Sequence, residues 1–213
     1  RAAPARTART SRVNASGTRG RHRHLLGRRG VGRLKSHLGE TLLIVDTHAH
    51  ASPYWFEPVE TLLYEMSVNS IAKAVLTQII HIHHNDYFFD CLQRYPGRFA
   101  ACVVVDATKR DGPDKLKECV ERGSTGLRLS IKTSSPDSNQ LAVWRKAEEL
   151  RLPVSVAGSE EAFASDEFHR IVEMFPDLAI VIEHCGKPGE DEQTPYPLHT
   201  RVLSLARYPN VYM

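Results

Sequence analysis

The chain has 213 residues, 41% of them hydrophobic, and a formal net charge of +3, enough apolar material for one domain with a substantial core. No apolar run approaches the roughly 18 residues needed to cross a bilayer, which leaves no place for a membrane helix. Cys91, Cys102, Cys119 and Cys185 are widely spaced without a Cys-x-x-Cys pattern, the usage of free thiols in a reduced compartment.

Residues 1–40 form a basic arm. Before Glu40 there is no Asp or Glu, while Arg1, Arg6, Arg9, Arg12, Arg19, Arg21, Arg23, Arg28, Arg29, Arg33 and Lys35 are cationic, so the body that follows is net acidic. The arm has no aromatic residue and too little apolar content to offset the entropy of ordering it. Its composition matches a plastid or mitochondrial transit peptide, with a plain disordered tail on a cytoplasmic protein as the alternative. Nucleic acid would attract the charges, but nothing in the arm could stack on bases, so such a partner is not expected. The chain opens without methionine and stops inside a predicted strand, and it reads as a fragment.

Strand-length apolar runs then alternate with helix-like segments, the pattern of an α/β fold with a parallel sheet. The predicted strands are Leu42 to Asp46, Ala72 to Ile80, Phe99 to Val105, Gly126 to Ser130, Pro153 to Val156, Leu178 to Ile182 and Val211 to Met213. Between them, helices are predicted over Pro58 to Val68, Tyr87 to Tyr95, Pro113 to Arg122, Leu141 to Leu150, Glu167 to Phe175 and Pro197 to Arg207. Several strands are apolar on both faces, as for strands lying between a filled interior and a helical layer. A closed barrel and a doubly wound open sheet both satisfy the alternation. The nucleotide-binding version of the open sheet lacks its Gly-rich loop after the first strand.

Chemistry concentrates at strand ends. Asp46-Thr47-His48-Ala49-His50 closes the first strand, and alternate strand positions share a face, so His48 and His50 are expected side by side, as for holding a metal or a polarised substrate. Arg128 lies on an otherwise apolar strand. A buried guanidinium there needs an anion, either a substrate carboxylate or a structural acid. His81, His83 and His84 follow the second strand and are expected at the same rim. His22 and His24 sit in the arm without a rigid frame, and Cys185 has no base assigned to it.

The stretch Val45-Asp46-Thr47-His48-Ala49-His50 resembles the opening signature of the amidohydrolase superfamily, and Glu183-His184-Cys185-Gly186-Lys187-Pro188 resembles the family's sixth strand end in the amidohydrolase-related branch that includes sugar-lactone and pyrone-lactone hydrolases. Weaker echoes are Asn85-Asp86-Tyr87, Arg94 to Phe99, Gly126 to Leu129 and Tyr208 to Met213, all in order.

The resemblance implies a (β/α)8 TIM-type barrel over residues 41–213, incomplete, with about seven strands and the eighth missing, against about 250 residues for a full barrel. It implies that His48, His50 and His184 meet at the C-terminal strand ends. There they would hold a divalent zinc or manganese ion or, without metal, polarise a carbonyl directly. Arg128, His84 and Asn85 would bind substrate. The family's fifth-strand histidine is absent from Pro153 to Ser159, and its eighth-strand acid would fall beyond Met213. Glu183, next to His184, is expected to point away from substrate and to orient loops or pair with a cation. The implied activity is hydrolysis of a small, carboxylated lactone or related cyclic C–O or C–N bond. The alternatives are metal-dependent decarboxylation of an aromatic or unsaturated acid, or an inert barrel fragment. The implied partners are a small-molecule substrate and, through unpaired sheet edges, a second copy of the chain.

Overall fold

A computed structural model describes residues 43–132, 134–136, 138–189 and 192–213. The basic arm, with the leader reading and the His22/His24 pair, lies outside the described residues. None of the described helices is long and apolar enough to cross a membrane.

The chain alternates between strands and helices: β1 (Ile44–Ala49), α1 (Val59–Val68), β2 (Ile71–Thr77), α2 (Asp86–Arg94), β3 (Phe99–Val103), α3 (Gly112–Glu121), β4 (Gly126–Ser130), α4 (Ala142–Glu149), β5 (Val154–Ala157), α5 (Glu160–Phe163), α6 (Asp166–Met174), β6 (Ile180–Ile182), α7 (Pro197–Leu203) and β7 (Val211–Tyr212). A 3-10 turn, Glu183–Gly186, follows β6, and another, Ser204–Arg207, follows α7. The short α5 escaped the sequence reading. Its signal is Ser159, whose hydroxyl accepts from Ala162 N, just as Ser165 accepts from Phe168 N to start α6. Strand β2 stops at Thr77, short of the expected Ile80, because the Gln78 side chain turns the backbone: Oε1 accepts from Ile79 N and Nε2 donates to His84 O.

All seven strands are parallel and adjacent in chain order, β1 to β7. A doubly wound sheet reverses its strand order at a switch point, and this one never does. The open-sheet alternative is therefore excluded. The sheet also curls. His48 on β1 and His184 after β6 have ring centroids 5.2 Å apart, whereas in a flat sheet five strand spacings would separate them by about 24 Å. The fold is a TIM-type barrel wall of seven strands, with β1 and β7 as its edges among the described residues.

Alternation sets the two faces. Leu127, Leu129, Val154, Val156, Ile180 and Ile182 turn outward into the main core, where they meet Leu116, Val143, Trp144, Phe168 and Val172 from the helices. The intervening positions Gly126, Ser155 and Val181 line an interior cavity of about 560 Å³, to which all seven strands contribute. Burying each large outward side chain stabilises the wall by about 1.5–3 kcal/mol.

Candidate active site

A bulge opens the site. Between Asp46 and Ala49, β1 uses one residue more than β2 does, and both Thr47 and His48 come to line the interior cavity. Bulges re-aim side chains in this way beside functional sites. The Asp46 carboxylate holds the distortion by accepting from His48 N at 3.0 Å.

The other half of the site is a left-handed turn. After β6, His184 (φ 54°), Cys185 (53°), Gly186 (74°) and Lys187 (54°) all adopt positive φ, closed by Lys187 N donating to His184 O at 2.8 Å. Each non-glycine residue there costs roughly 1–2 kcal/mol, so the surrounding structure must hold the turn. Glu160, buried on α5, does so by accepting from Gly189 N at 2.8 Å while its other oxygen meets His199 Nδ1 on α7 at 3.1 Å. At Gly186 an added Cβ would land 2.5 Å from Val202 Cγ1. Gly186→Ala therefore combines left-handed strain with overpacking. A loss of about 2 kcal/mol or more is expected in urea denaturation; an unchanged midpoint would show that the turn relaxes freely.

The turn changes which residues meet. The alternation rule sends Glu183 away from His184, but the strand ends at Ile182, and His48, Glu183 and His184 bring ligand atoms within 4.8 Å of one another. His50, expected as a third imidazole of this set, lies outside it. It stands edge-on to His48 with centroids 5.0 Å apart, its Nδ1 hydrogen bonds to Thr77 O at 2.7 Å, and its ring stacks on Phe56 at 4.8 Å. With a carbonyl as partner, Nδ1 carries the proton and Nε2 is left as the acceptor.

Arg128 realises the second of its two readings. Nε and Nη2 reach Glu183 Oε1 and Oε2 at 2.7 and 2.6 Å, and Nη1 donates to Gln78 O at 2.8 Å. Expected as a substrate clamp, it instead spends its fork on a buried protein carboxylate. Ser155, opposite Arg128 in register, donates to Glu183 Oε1 at 2.7 Å. Thus β4, β5 and the end of β6 each contribute one inward polar side chain. Ser155 was missed as a site residue, its signal a lone polar residue on an apolar strand; Glu183 pairs with a cation as expected, and what was not expected is its place beside His48 and His184.

Asn85, expected on substrate, is also committed to the protein. Buried, it donates to Val104 O at 2.9 Å and accepts from Val104 N at 3.2 Å, fastening the β2–α2 loop to the end of β3. His84 is exposed and borders two recesses. His81 and His83 are exposed as well, and border a cavity of about 410 Å³ with Lys132, at the ends of β2 to β4.

The charges have clear causes. Burial pushes the His48 imidazole below its ordinary value of 6.5, against the pull of Glu183, and Arg128, His50 and His184 push the same way. Burial pushes the Glu183 carboxyl up, but the hydrogen bonds from Arg128 and Ser155 and the Arg128 charge outweigh it and hold the group below its ordinary value. Both shifts have the same sign for stability. Each folded-state pKa is depressed, so the unfolded chain binds more protons on acidification, and stability is lost as pH falls. The His48 contribution is present above about 6.5 and declines below it; the Glu183 contribution declines below about 4.5. Urea midpoints should fall from pH 7 to pH 5, and less steeply in His48→Gln. Equal slopes would remove His48 as the cause.

A divalent cation fits this donor set by one test. His48 Nε2 is buried without any hydrogen-bond partner, a cost that a ligand in the site would relieve. His184 is offered to solvent, with its side chain 60% exposed, and one lone-pair direction of Glu183 Oε2 remains beyond the Arg128 bond, 3.8 Å from His184 Nε2.

The amidohydrolase family model matches residues 42–213. Among solved structures, a probable 2-pyrone-4,6-dicarboxylic acid hydrolase from Acinetobacter baumannii, with citric acid bound, superposes with a TM-score of 0.63 at 20% identity, covering 77% of this chain and 66% of that one. A protein from Agrobacterium tumefaciens, in its apo form, gives 0.60 at 20% identity over 79% of this chain and 66% of that one. An amidohydrolase from Burkholderia multivorans with bound zinc gives 0.61 at 16% identity over 80% and 68%. The chain thus spans 66% of the length of the first two. No match was found among the curated proteins.

Proposed function

The chain belongs to the amidohydrolase family, and from that premise we propose that it acts as a hydrolase on a small, carboxylated cyclic ester. The observation that carries this reading is the convergence of His48, Glu183 and His184 within 4.8 Å, at the C-terminal ends of β1 and β6. A ring carbonyl enters from the 560 Å³ interior and is polarised there. His48 stays neutral because burial disfavours its cation, and its unpartnered Nε2 would donate an N–H to the carbonyl oxygen in one tautomer or a lone pair to a metal ion in the other. His184 reaches the carbonyl oxygen from its exposed turn. Arg128 keeps Glu183 ionised and aligned without touching substrate, and Ser155 fixes the other carboxylate oxygen. Zinc or manganese held by His48, His184 and Glu183 would supply Lewis-acid polarisation of the same carbonyl.

With Arg128 occupied, the substrate carboxylate falls to the neighbouring recess, where Lys132 supplies a cation beside Asp106, and the His81 and His83 rings offer hydrogen bonds. The dicarboxylate named for the Acinetobacter relative supports a lactone of this kind.

The test is turnover of a panel of carboxylated lactones, 2-pyrone-4,6-dicarboxylate among them, followed by loss of ring absorbance, with metal analysis after dialysis. Ring opening that depends on His48 supports the reading. Release of carbon dioxide from carboxylated aromatics, with every lactone untouched, would replace hydrolysis by decarboxylation.

A further inference from the structure

Beside the histidine pair lies a second recess that the carbonyl chemistry leaves unused. The β1–α1 loop carries Tyr54, Trp55 and Phe56 in succession, exposed by 84%, 74% and 46%. Large apolar side chains left in water forgo about 1.5–3 kcal/mol each, and fold stability gains nothing from that placement. Nor is the loop loosely tethered. Ser52 Oγ accepts from Tyr54 N and Trp55 N at 3.1 and 3.2 Å, and Ser52 N donates to Glu57 O at 3.1 Å. Phe56 lies nearly flat on His50, with 20° between the rings.

Facing this loop, Ile79, Ile82 and Tyr87 from the β2–α2 side complete a cavity of about 350 Å³. The Tyr87 hydroxyl accepts from Val59 N at 2.9 Å, which fixes that wall to the start of α1. Charge decides the ligand class. Among the described residues no lysine or arginine lines the recess. The acids at its edge, Asp86 and Asp90, are drawn to Arg122 and Arg94 at 2.7 and 3.5 Å. An anion entering here would meet carboxylates and no lysine or arginine; a planar uncharged ring would meet aromatic faces.

We propose that this recess binds an uncharged aromatic ring, stacked against Trp55 and Phe56 and abutting His50. The volume lies in the range of small-molecule sites, and aromatic pairs contribute about 0.5–1.5 kcal/mol beyond the area they bury. His50, bonded to Thr77 and in edge contact with His48, joins this recess to the candidate active site. The proposal therefore rests on the hydrolase reading only for what the ring is attached to: an aryl substituent of the cyclic ester.

The chain reports on its own recess. It has two tryptophans, of which Trp144 is buried and Trp55 is exposed at the recess, so solute quenching of tryptophan emission reads Trp55. Titrating the full chain with 4-nitrobenzyl alcohol, a planar uncharged quencher, should give saturable quenching. Phe56→Leu, with unchanged far-UV circular dichroism, should weaken binding roughly 3- to 10-fold. 4-Nitrobenzoate should bind more weakly than the alcohol, and cyclohexylmethanol should fail to displace it. Quenching that rises linearly without saturation would overturn the proposal, as would equal binding of the anion or equal displacement by the saturated ring. Lactone turnover is read separately. Turnover without probe binding removes the recess and leaves the hydrolase; probe binding without turnover does the reverse.

Discussion

Replacing Glu183 by Gln is expected to cost about 3–5 kcal/mol of folding free energy, because it strands the Arg128 guanidinium in the barrel interior without its anion. Arg128 and Glu183 are 7% and 4% exposed, and two of the guanidinium's three hydrogen bonds among the described residues end on this one carboxylate. A neutral amide keeps one accepting oxygen, turns the other position into a donor facing the guanidinium, and cannot offset a buried charge. Removing both charges is a different matter. Arg128→Met combined with Glu183→Leu should recover much of the loss, since a packed apolar pair avoids the desolvation that a buried ion pair must overcome. Urea denaturation of the single and double variants reads this directly. If the single variant were as stable as wild type, Arg128 would have another anion, and the polar ladder through Ser155 would lose its organising role.

His184→Asn is expected to lower kcat/KM on a responsive lactone by about 10²–10³-fold, the usual loss when one polarising group is removed from a preorganised site. Asparagine is chosen because it tolerates the left-handed conformation that position 184 adopts. The His184 side chain is also largely solvent-exposed, so stability should scarcely move. Denaturation midpoint and turnover together separate the two effects. Full turnover in a normally folded variant would leave His48 and Glu183 without their partner and would redirect the search toward His50.

Much of the site was legible along the chain. His48 was visible because its imidazole closes an apolar run, and His184 because its stretch resembles the amidohydrolase-related signature; parallel strands of a barrel deliver their C-terminal ends to one rim. Arg128 stood out as the one charge on its strand, and the sequence correctly left two anions open for it. Glu183 was expected to pair with a cation, and Arg128 is that cation. What went unread was its approach to the histidines: alternation sends it away from His184, a rule that holds only while the chain stays extended, and four successive positive φ angles from His184 to Lys187 end that regime. His50 obeyed alternation on paper, yet the bulge between Asp46 and Ala49 and the Thr77 carbonyl gave its ring another engagement. Asn85 does border a recess, as a pocket wall would, but its amide is committed to Val104 rather than left free for a ligand.

By itself the sequence determined the alternating strand and helix plan, which faces of the strands are apolar, and which strand ends bear imidazoles. Those features follow from local periodicity and need no knowledge of what lies across the molecule. Only the tertiary structure decided that the strands run in unbroken order around a curve, that Arg128 closes on Glu183 from 55 residues away, and that His50 faces an aromatic recess. Each of these depends on the bend of the sheet and on backbone turns whose energy is set by distant neighbours, and no stretch of the chain carries that information alone.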